Sequence, residues 1–293
     1  MGKDCEGLQM KVYIDGEYGA VGLHLSEQIK KTQNVELLSI SEEDKKNIEI
    51  KKEYLNSADC VFLCLPDDIA IESANLVENQ KTVIIDCSTA HRTKWTYGFP
   101  ELGNQFLEGI KTSNKITNPG CHATGFISII YPLVKNRIVN KNDTIYCYSL
   151  TGYTGGGKVM IEEWQDKRDA SIYSLDLNHK HIPEMMKVCG LEAKPFFSPA
   201  IVDIPQGMIV SIMLNQNYNK VFEIINQFYE QTDIEVSYRS NKLNVSELAG
   251  TDKLKICVSG NENQSLISAC FDNLGKGASG AAIQNMKVRF GLC

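Results

Sequence analysis

The chain has 293 residues, of which 43% are hydrophobic and 23% charged, a balance that is typical of a folded globular protein and excludes a disordered one. The net charge of −6 argues against nucleic acid as the main partner, so an anionic ligand would need local cations or backbone amides. No apolar run approaches the roughly 20 residues that span a bilayer, which argues against membrane association. A chain of this length predicts two domains.

The ten cysteines are scattered without C-x-x-C pairs, and residues 1–6 form a short acidic leader that lacks the pattern of a signal peptide. Both features predict reduced thiols in the cytoplasm. The only close pair of metal-ligand type is His179 with His181, so no metal site is expected. Most cysteines lie in apolar or alternating segments and are predicted to be core residues, namely Cys60, Cys64, Cys87, Cys147, Cys257 and Cys270.

The first predicted strand, residues 10–15, runs directly into a turn with Gly16, Gly19 and Gly22 and then into an amphipathic stretch through Ile29. Glycines three apart at a strand-to-helix junction allow a tight turn and close approach of a ligand phosphate. The spacing differs from the commoner G-x-G-x-x-G fingerprint, and a plain strand-to-helix turn is the alternative.

Further strands are predicted at 35–40, 60–65 and 82–86, with helices around 41–55 and 69–78. Strands that alternate with helices predict an α/β fold with a doubly wound parallel sheet. Ligands bind such a sheet beyond the carboxyl ends of its strands, where the glycine turn and the loops that carry Pro66 and Ser88 converge.

The end of the second strand is the usual place to discriminate the two nicotinamide cofactors, because an acidic residue there repels a 2′-phosphate. Here it carries Ser39 and Ser41, which favours a phosphorylated cofactor. Lys45 and Lys46 follow among the acidic residues 42–44, so a solvated helix start remains an alternative for these two lysines.

From about residue 143 apolar and polar residues alternate, which predicts strands at 144–150, 208–214 and 255–258 of a second, largely antiparallel sheet. Residues 221–229 form the clearest helix of that α+β part. Glycine-rich residues 274–280 lead into a closing helix at 281–290.

The tetrapeptide Asn118-Pro119-Gly120-Cys121, followed by the apolar run 126–134, places one thiol where a loop enters a helix. The free N–H groups and the positive end of a helix favour a thiolate, which makes Cys121 a candidate nucleophile. A buried, unreactive cysteine is the alternative.

Two further segments are unusually polar. Residues 152–158 form a glycine loop that ends in Lys158, which suits an anion or a plain turn. Residues 179–184 supply His179 and His181, two imidazoles two residues apart, followed by Glu184.

Together these stretches resemble the N-acetyl-gamma-glutamyl-phosphate reductases, in particular the short form of that family, which is related to the aspartate-semialdehyde dehydrogenases. The family commonly has Tyr-Pro-Thr after its cysteine, whereas this chain reads His122-Ala123-Thr124. The resemblance covers nearly the whole chain and rests on segments 14–22, 64–68, 86–93, 97–102, 118–121, 152–158, 179–185 and 272–280.

The resemblance implies an NADP-binding Rossmann domain over residues 1–120, completed by 271–293, and a catalytic and dimerisation domain over 121–270. It implies a cytoplasmic enzyme of arginine biosynthesis that reduces an acyl phosphate with NADPH through a thioester on Cys121. It also implies a homo-oligomer, a dimer or tetramer, assembled through the second sheet.

The same resemblance assigns roles to the polar residues. His179 is the acid/base, with His181 as its close alternative, and Glu184 orients one of the two rings. Arg92 binds the substrate carboxylate and Lys158 the departing phosphate. The cofactor-binding residues are predicted to be Gly16, Gly19, Gly22, Ser39, Pro66, Ser88, Gly275 and Gly277.

Three alternatives stay open. An aspartate-semialdehyde dehydrogenase or a reductase of aminoadipyl phosphate would keep the mechanism and change the acyl group. A nucleotide-binding redox sensor would use Cys121 without turnover, although it would need neither a proton shuttle nor a phosphate cradle.

Overall fold

The first part of the chain alternates strands with helices, as its hydrophobic pattern predicts. A computed structural model describes residues 9–41, 43–44, 47–166, 168–238 and 241–292, with only the backbone at 158, 159, 165 and 166. The elements are β1 (Met10–Asp15), α1 (Ala20–Ile29), β2 (Val35–Leu38), α2 (Ile48–Ser57), β3 (Cys60–Leu63), α3 (Asp67–Leu76), β4 (Val83–Asp86), β5 (Thr96–Tyr97), α4 (Asn104–Thr112) and β6 (Lys115–Thr117).

The strands of this first part form one parallel sheet in the order β2-β1-β3-β4-β6-β5. From β1 the chain goes to one side for β2 and to the other for β3, so the carboxyl ends of β1 and β3 flank a topological switch point. Crevices at such points bind ligands in open α/β sheets.

The second part begins with a long helix and continues into a mixed sheet. Its elements are α5 (Cys121–Lys135), β7 (Tyr146–Gly152), α6 (Gly157–Asp166), β8 (Ser171–Ile172), α7 (Ile182–Cys189), β9 (Phe196–Val202), β10 (Met208–Leu214), α8 (Tyr218–Tyr229), β11 (Glu235–Tyr238), β12 (Leu254–Gly260), β13 (Ser265–Phe271) and α9 (Gly280–Phe290). Short 3₁₀ turns cover Pro100–Leu102 and Tyr153–Gly156, and a π turn covers Gly275–Ser279.

This second sheet has the order β11-β12-β13-β10-β7-β9-β8, in which only the β11–β12 and β7–β9 pairs are parallel. The largely antiparallel sheet that the alternating pattern predicts is confirmed. Helices α5 and α8 cover its inner face with a continuous apolar core that includes Phe126, Val210 and Phe271.

Helix α9 returns to the first sheet, where Ala282 and Met286 pack beside Val12 and Phe62 in one apolar cluster. The chain therefore ends on the domain in which it began. Because α5 and the π turn before α9 are in contact, the two sheets meet around residues 121 and 275–279.

Strands β1 and β10 have the predicted bounds, whereas the helix predicted at 41–55 begins only at Ile48. Asn47 explains the later start, because its side chain accepts hydrogen bonds from the Glu49 and Ile50 N–H groups and so caps α2. Ser41 and Asp44 instead bond to each other in the preceding turn. Lys45 and Lys46 lie outside the described residues.

Candidate functional site

The glycine turn after β1 lies against the loop after β3. Gly16 has φ of 93°, a conformation that favours glycine, and a methyl group on its Cα would stand 2.9 Å from the Cys64 carbonyl carbon. Gly19 is the N-cap of α1, and Gly22 is buried one turn into that helix. The backbone thus leaves an open helix N-terminus at the switch point, a cradle that suits the phosphates of a dinucleotide.

Three other predicted cofactor residues follow strands of the parallel sheet and differ in exposure and in hydrogen bonding. Ser39 is exposed just after β2, and Pro66 is the exposed N-cap of α3. Ser88 is buried, and its hydroxyl and N–H both donate to the Asp86 carboxylate, at 2.9 and 2.8 Å. Its hydroxyl is therefore engaged within the protein.

The two glycines predicted from the π turn lie in different surroundings. Gly277 packs against the nucleophile candidate, since a methyl group on it would stand 2.9 Å from Cys121 Cβ. Gly275 is buried against Thr251 and Asp252, outside the set of residues that line the cavity around Cys121. Only Gly277 therefore reaches the predicted site.

Cys121 is the first residue of α5, as the turn residues before it predict, and Gly120 is the N-cap. It lines a cavity of about 370 Å³ between the two sheets, at the carboxyl end of the parallel one. The cavity wall includes Arg92, His122, Tyr173, His179, Lys180 and His181.

Burial raises the pKa of the Cys121 thiol to about 11, although the Arg92 guanidinium, the His122 N–H and Lys180 all act to lower it. The backbone donor at the helix start is present, as the sequence predicts. Its effect is smaller than the cost of placing a thiolate in this enclosed position.

Arg92 and Glu184 form a buried ion pair beside Cys121, with Arg92 Nη1 donating to Glu184 Oε1 at 2.7 Å. The carboxylate also accepts from the Tyr97 hydroxyl at 2.9 Å and from the Gly120 N–H at 3.2 Å. Burial raises the pKa of Glu184, and Arg92 opposes that rise. Glu184 therefore holds the residue that precedes Cys121.

These contacts bear on the roles that the sequence predicts for Glu184 and Arg92. Glu184 makes no hydrogen bond to either histidine within the described part of the chain, so it does not orient a ring in the way the sequence hypothesis holds. Arg92 donates to Glu184, to Asn118 O at 3.1 Å and to Cys87 O at 3.2 Å. Its guanidinium is thus anchored by the protein, although it still lines the cavity.

The side chains around position 120 are packed so closely that only glycine fits there. A methyl group on its Cα would stand 2.6 Å from both Glu184 Oε1 and His181 Cε1, and would also meet Arg92. Carbon and oxygen atoms do not approach so closely without repulsion. The loop can only pass between these side chains at a glycine.

Three imidazoles cluster beside the thiol. The ring centroids are 4.7 Å apart for His179 and His181, and 5.1 and 5.6 Å for His122 with each of these rings. Burial lowers the pKa of His179 to about 4 and those of His122 and His181 well below the usual value, aided by the nearby cations Lys180 and, for His179 and His181, Arg92. All three rings are therefore neutral near pH 7.

Hydrogen bonds distinguish the three rings. His179 Nδ1 accepts from the His181 backbone N–H at 3.1 Å, which assigns the ring hydrogen of neutral His179 to Nε2. His122 is held on both sides, by Ser149 Oγ at 2.7 Å and by the Tyr173 hydroxyl at 2.6 Å. His181 Nδ1 is buried without a hydrogen-bond partner among the described residues.

The phosphate loop that the sequence predicts lies at the cavity mouth, where Gly155 and Gly156 line the wall. The Lys158 side chain lies outside the described residues, so its direction is not assigned. Lys180, to which the sequence reasoning gave no role, supplies an exposed cation at the same wall.

Sequence reasoning also missed Tyr97, Tyr173 and Ser149. Tyr97 is separated from Glu184 by 87 residues and Ser149 from His122 by 27, so neither pairing has a local signal. The histidine at 122, in an otherwise uncharged helix start, is the one hint that polar partners would meet it. Within the described ranges no cluster of three metal-ligating side chains occurs, and no helix is long and apolar enough to span a bilayer.

Comparisons with known proteins agree with this geometry. Residues 11–110 match the model of the semialdehyde dehydrogenase NAD binding domain, and residues 121–273 match that of the semialdehyde dehydrogenase dimerisation domain. N-acetyl-gamma-glutamyl-phosphate reductases of Brucella ovis and Brucella anthropi are each 37% identical over 97% of this chain, and the matches cover 100% and 99% of those proteins.

Solved structures share the fold at lower identity. Aspartate semialdehyde dehydrogenase II from Vibrio cholerae has a TM-score of 0.74 at 17% identity, covering 97% of this chain and 99% of that one. Aspartate semialdehyde dehydrogenase with NADP from Candida albicans has a TM-score of 0.69 at 14% identity, covering 95% and 98%.

Proposed function

The chain belongs to the semialdehyde dehydrogenase family, and from this premise we propose that it is an NADPH-dependent reductase of N-acetyl-gamma-glutamyl phosphate in arginine biosynthesis. The products are N-acetyl-glutamate 5-semialdehyde and phosphate. The observation that carries the proposal is the thiol of Cys121 at a helix start, enclosed with three neutral imidazoles at the ligand-binding end of the parallel sheet.

The cofactor would lie across the crevice at β1 and β3, with its phosphates at the N-terminus of α1. Gly16 fits this turn because its positive φ and the adjacent Cys64 carbonyl leave no room for a side chain, and Gly19 caps the helix whose first N–H groups would face the phosphates. An exposed serine, Ser39, follows β2 where an acidic residue would repel a 2′-phosphate, so the position is compatible with NADP. NADPH, when bound, supplies the hydride that reduces the acyl group.

Covalent catalysis begins with attack of Cys121 Sγ on the acyl carbon. The carbon–oxygen bond to phosphate breaks, phosphate leaves with the bonding electrons, and a thioester remains. After reduction at the same carbon, the carbon–sulfur bond breaks as the aldehyde carbonyl forms, and the thiolate is regenerated.

The thiol must first lose its proton, since its pKa of about 11 keeps it protonated at neutral pH. His181 is the acceptor that the geometry favours, because its ring is neutral and no neighbour among the described residues fixes its Nδ1. His122 suits this role less well, as hydroxyl groups occupy both of its nitrogens.

His179 serves the acyl oxygen. With Nδ1 accepting from the backbone, its neutral ring presents Nε2–H as a donor, which stabilises the negative charge that develops on that oxygen. The N–H groups at the start of α5 are a second source of such donors.

Charged groups anchor the rest of the substrate. Arg92 and Lys180 both line the cavity, so we assign them to the substrate carboxylate, with the anchored Arg92 fixing direction and the exposed Lys180 adding charge. The amides of Gly155 and Gly156, which line the cavity, together with Lys158 are the proposed cradle for the departing phosphate.

The direct test is phosphate-dependent reduction of NADP by the purified protein with N-acetyl-glutamate semialdehyde. Activity with this substrate, its loss in Cys121→Ser and no turnover of aspartate semialdehyde would support the proposal. Turnover of aspartate semialdehyde instead would reassign the acyl group, and no turnover of either substrate would reject the enzyme.

Two further variants separate the histidine roles. His181→Asn should raise the pH at which iodoacetamide labels Cys121, because the proton acceptor is lost. His179→Asn should lower kcat and leave the labelling profile in place. The reverse pattern would exchange the two assignments.

We also propose that two copies pair through the outer face of the second sheet. Tyr146, Phe196 and Met213 are each about half exposed on this face, at 53%, 47% and 51%, and Tyr146 stacks on Phe196 with centroids 5.2 Å apart. Apolar patches of this kind mark protein interfaces. Because this patch is part of the second sheet, residues 121–270 would form the pairing domain of a dimer. Residues 1–120 with 271–293 would form the cofactor domain.

Light scattering tests the dimer. Phe196→Asp should yield a monomer, whereas Ile48→Asp, at the exposed start of α2 beside the first sheet, should keep the wild-type mass. A Phe196→Asp protein of unchanged mass would reject the interface.

The free thiols of the described cysteines support a cytoplasmic location.

A further inference from the structure

Cys64 and Cys87 occupy neighbouring positions at the carboxyl ends of β3 and β4. These strands run parallel with Leu63 paired to Asp86, so the next residue along each strand is a cysteine. The Cys87 N–H donates to Leu63 O at 2.9 Å, which continues the pairing to this level. Adjacent strands lie about 4.8 Å apart, within the Cα separation that a disulfide spans.

The two side chains also point to the same side of the sheet. Both pack against the apolar cluster that contains Val12, Phe62 and Ile85, and the neighbouring Cys87 thiol raises the pKa of Cys64 well above its usual value. The pair can therefore be joined without turning either strand. The two cysteines pack against the core as the sequence predicts, but they are only partly buried, whereas Cys60, Cys147, Cys257 and Cys270 are fully buried.

A reagent can reach this cysteine pair through the cavity that contains Cys121. Cys87 lines the same cavity as Cys121, so a small reagent that enters the cavity reaches it. Cys64 lies beside it, below the glycine turn after β1. Buried Cys60, four residues before Cys64, has no comparable opening.

The backbone of each cysteine supports a functional loop. The Cys64 carbonyl packs against Gly16, and the Cys87 carbonyl accepts from Arg92 Nη2 at 3.2 Å. Ser88 follows directly. Formation of the bond brings the two sulfurs to about 2.05 Å and fixes both side chains in one geometry, which would strain the backbone on which the loop proposed to hold the cofactor phosphates packs.

We propose that Cys64 and Cys87 form a reversible disulfide that weakens cofactor binding. The oxidant is a low-molecular-weight disulfide such as that of glutathione. The Cys87 thiolate attacks one sulfur of the reagent, releases one thiol and forms a mixed disulfide, which Cys64 then displaces to release the second thiol. Two protein thiols become one disulfide, and one reagent disulfide becomes two thiols.

Cofactor and disulfide oppose each other in this arrangement, and the opposition is reciprocal. If the disulfide weakens NADPH binding by a given factor, saturating NADPH shifts the thiol–disulfide equilibrium toward the dithiol by the same factor. Couplings between sites are typically about fivefold or more. This part rests on the proposed cofactor site, whereas formation of the bond does not.

The experiment uses the full chain with Cys121→Ser, which removes the candidate nucleophile. The protein is equilibrated in glutathione buffers of increasing oxidised fraction, and disulfides are mapped by peptide mass spectrometry. We expect a Cys64–Cys87 crosslink, a rise of at least about fivefold in the Kd for NADPH measured by its fluorescence, and reversal by dithiothreitol.

Variants in the same background make the result specific. Cys87→Ala should bind NADPH equally before and after oxidation, Cys64→Ala should stop at the mixed disulfide with a glutathionyl mass on the Cys87 peptide, and Cys60→Ala should respond like its parent. Absence of the Cys64–Cys87 peptide in the oxidised buffers would overturn the proposal. So would a crosslink that leaves NADPH affinity unchanged. If the reduced protein bound no NADPH, the proposed cofactor site would fail, and the peptide map would still decide the pairing.

Discussion

Glu184→Gln is the most informative single substitution, because it removes a buried charge and keeps the shape of the side chain. Glu184 is 1% exposed and its partner Arg92 is 7% exposed, so the substitution leaves an uncompensated guanidinium in the interior. Breaking a buried pair in this way costs about 3–5 kcal/mol. Arg92 keeps two carbonyl acceptors, Asn118 O and Cys87 O, which places the expected loss at about 3 kcal/mol.

The same substitution should also lower the pKa of the Cys121 thiol. Arg92 lowers the pKa of Cys121 and Glu184 raises it. With the carboxylate neutralised, the pull of Arg92 is unopposed, so the thiol pKa should fall below about 11. The variant is therefore expected to be less stable and to carry a more acidic thiol.

Two assays check these outcomes. The thermal midpoint should fall by about 6 °C, since 1 kcal/mol corresponds to about 2 °C in a large domain. Iodoacetamide labelling of the Cys121 peptide should reach its half-maximal rate at lower pH than in the wild type. Glu192→Gln is the matched control, because that glutamate pairs with Lys141 at the surface and its loss costs at most about 1 kcal/mol. An unchanged midpoint, or a labelling profile that moves to higher pH, would refute the reasoning.

Three other predictions follow from the same contacts. Gly120→Ala should lower kcat/KM by about 100-fold, because displacement of Cys121 by about 1 Å has that effect on catalysis; a steady-state rate within threefold of wild type would contradict it. Lys276→Met should cost about 3 kcal/mol in urea unfolding, since it leaves buried Glu101 without the cation that lies 2.5 Å away; an unchanged midpoint would show that the pair is not needed. The thermal midpoint should fall as the pH drops from about 6.5 toward 4. His179 has a folded-state pKa of about 4, so the unfolded chain takes up the proton on this residue at higher pH than the folded chain does. His179→Gln should make the dependence of the midpoint on pH less steep, and an equally steep dependence would exclude His179 as its source.

The fold could be predicted to a large extent from local patterns. Strand β1 needs only its apolar residues and the glycines that follow it, and α5 needs only the turn residues 118–120 before an apolar run. The start of α2 was misplaced because the prediction extended the helix through Ser41 and Asp44. Their mutual hydrogen bond and the Asn47 cap favour a turn there.

The site could be predicted only in part. The residue types at 121, 179 and 181 carry their own chemical signal, and the structure brings all three to one cavity. The partner of Glu184 carries none, because Arg92 lies 92 residues away and reaches it only after both domains have folded. A carboxylate three residues after a histidine suggests a local pair, but Glu184 pairs with the distant Arg92 because that cation compensates the buried carboxylate.

The ionisation of Cys121 shows where local reasoning stops. A helix start favours the thiolate through a few N–H groups that the sequence can locate, and the His122 N–H does act on the sulfur. Burial acts through distant segments, among them Gly277, whose Cα lies against Cys121, and it disfavours charge on sulfur and imidazole alike. Since the thiol is protonated and the three rings are neutral at rest, the helix start alone cannot supply the nucleophile. The proposed mechanism therefore requires a proton acceptor, and the three imidazoles that line the cavity with Cys121 are the candidates.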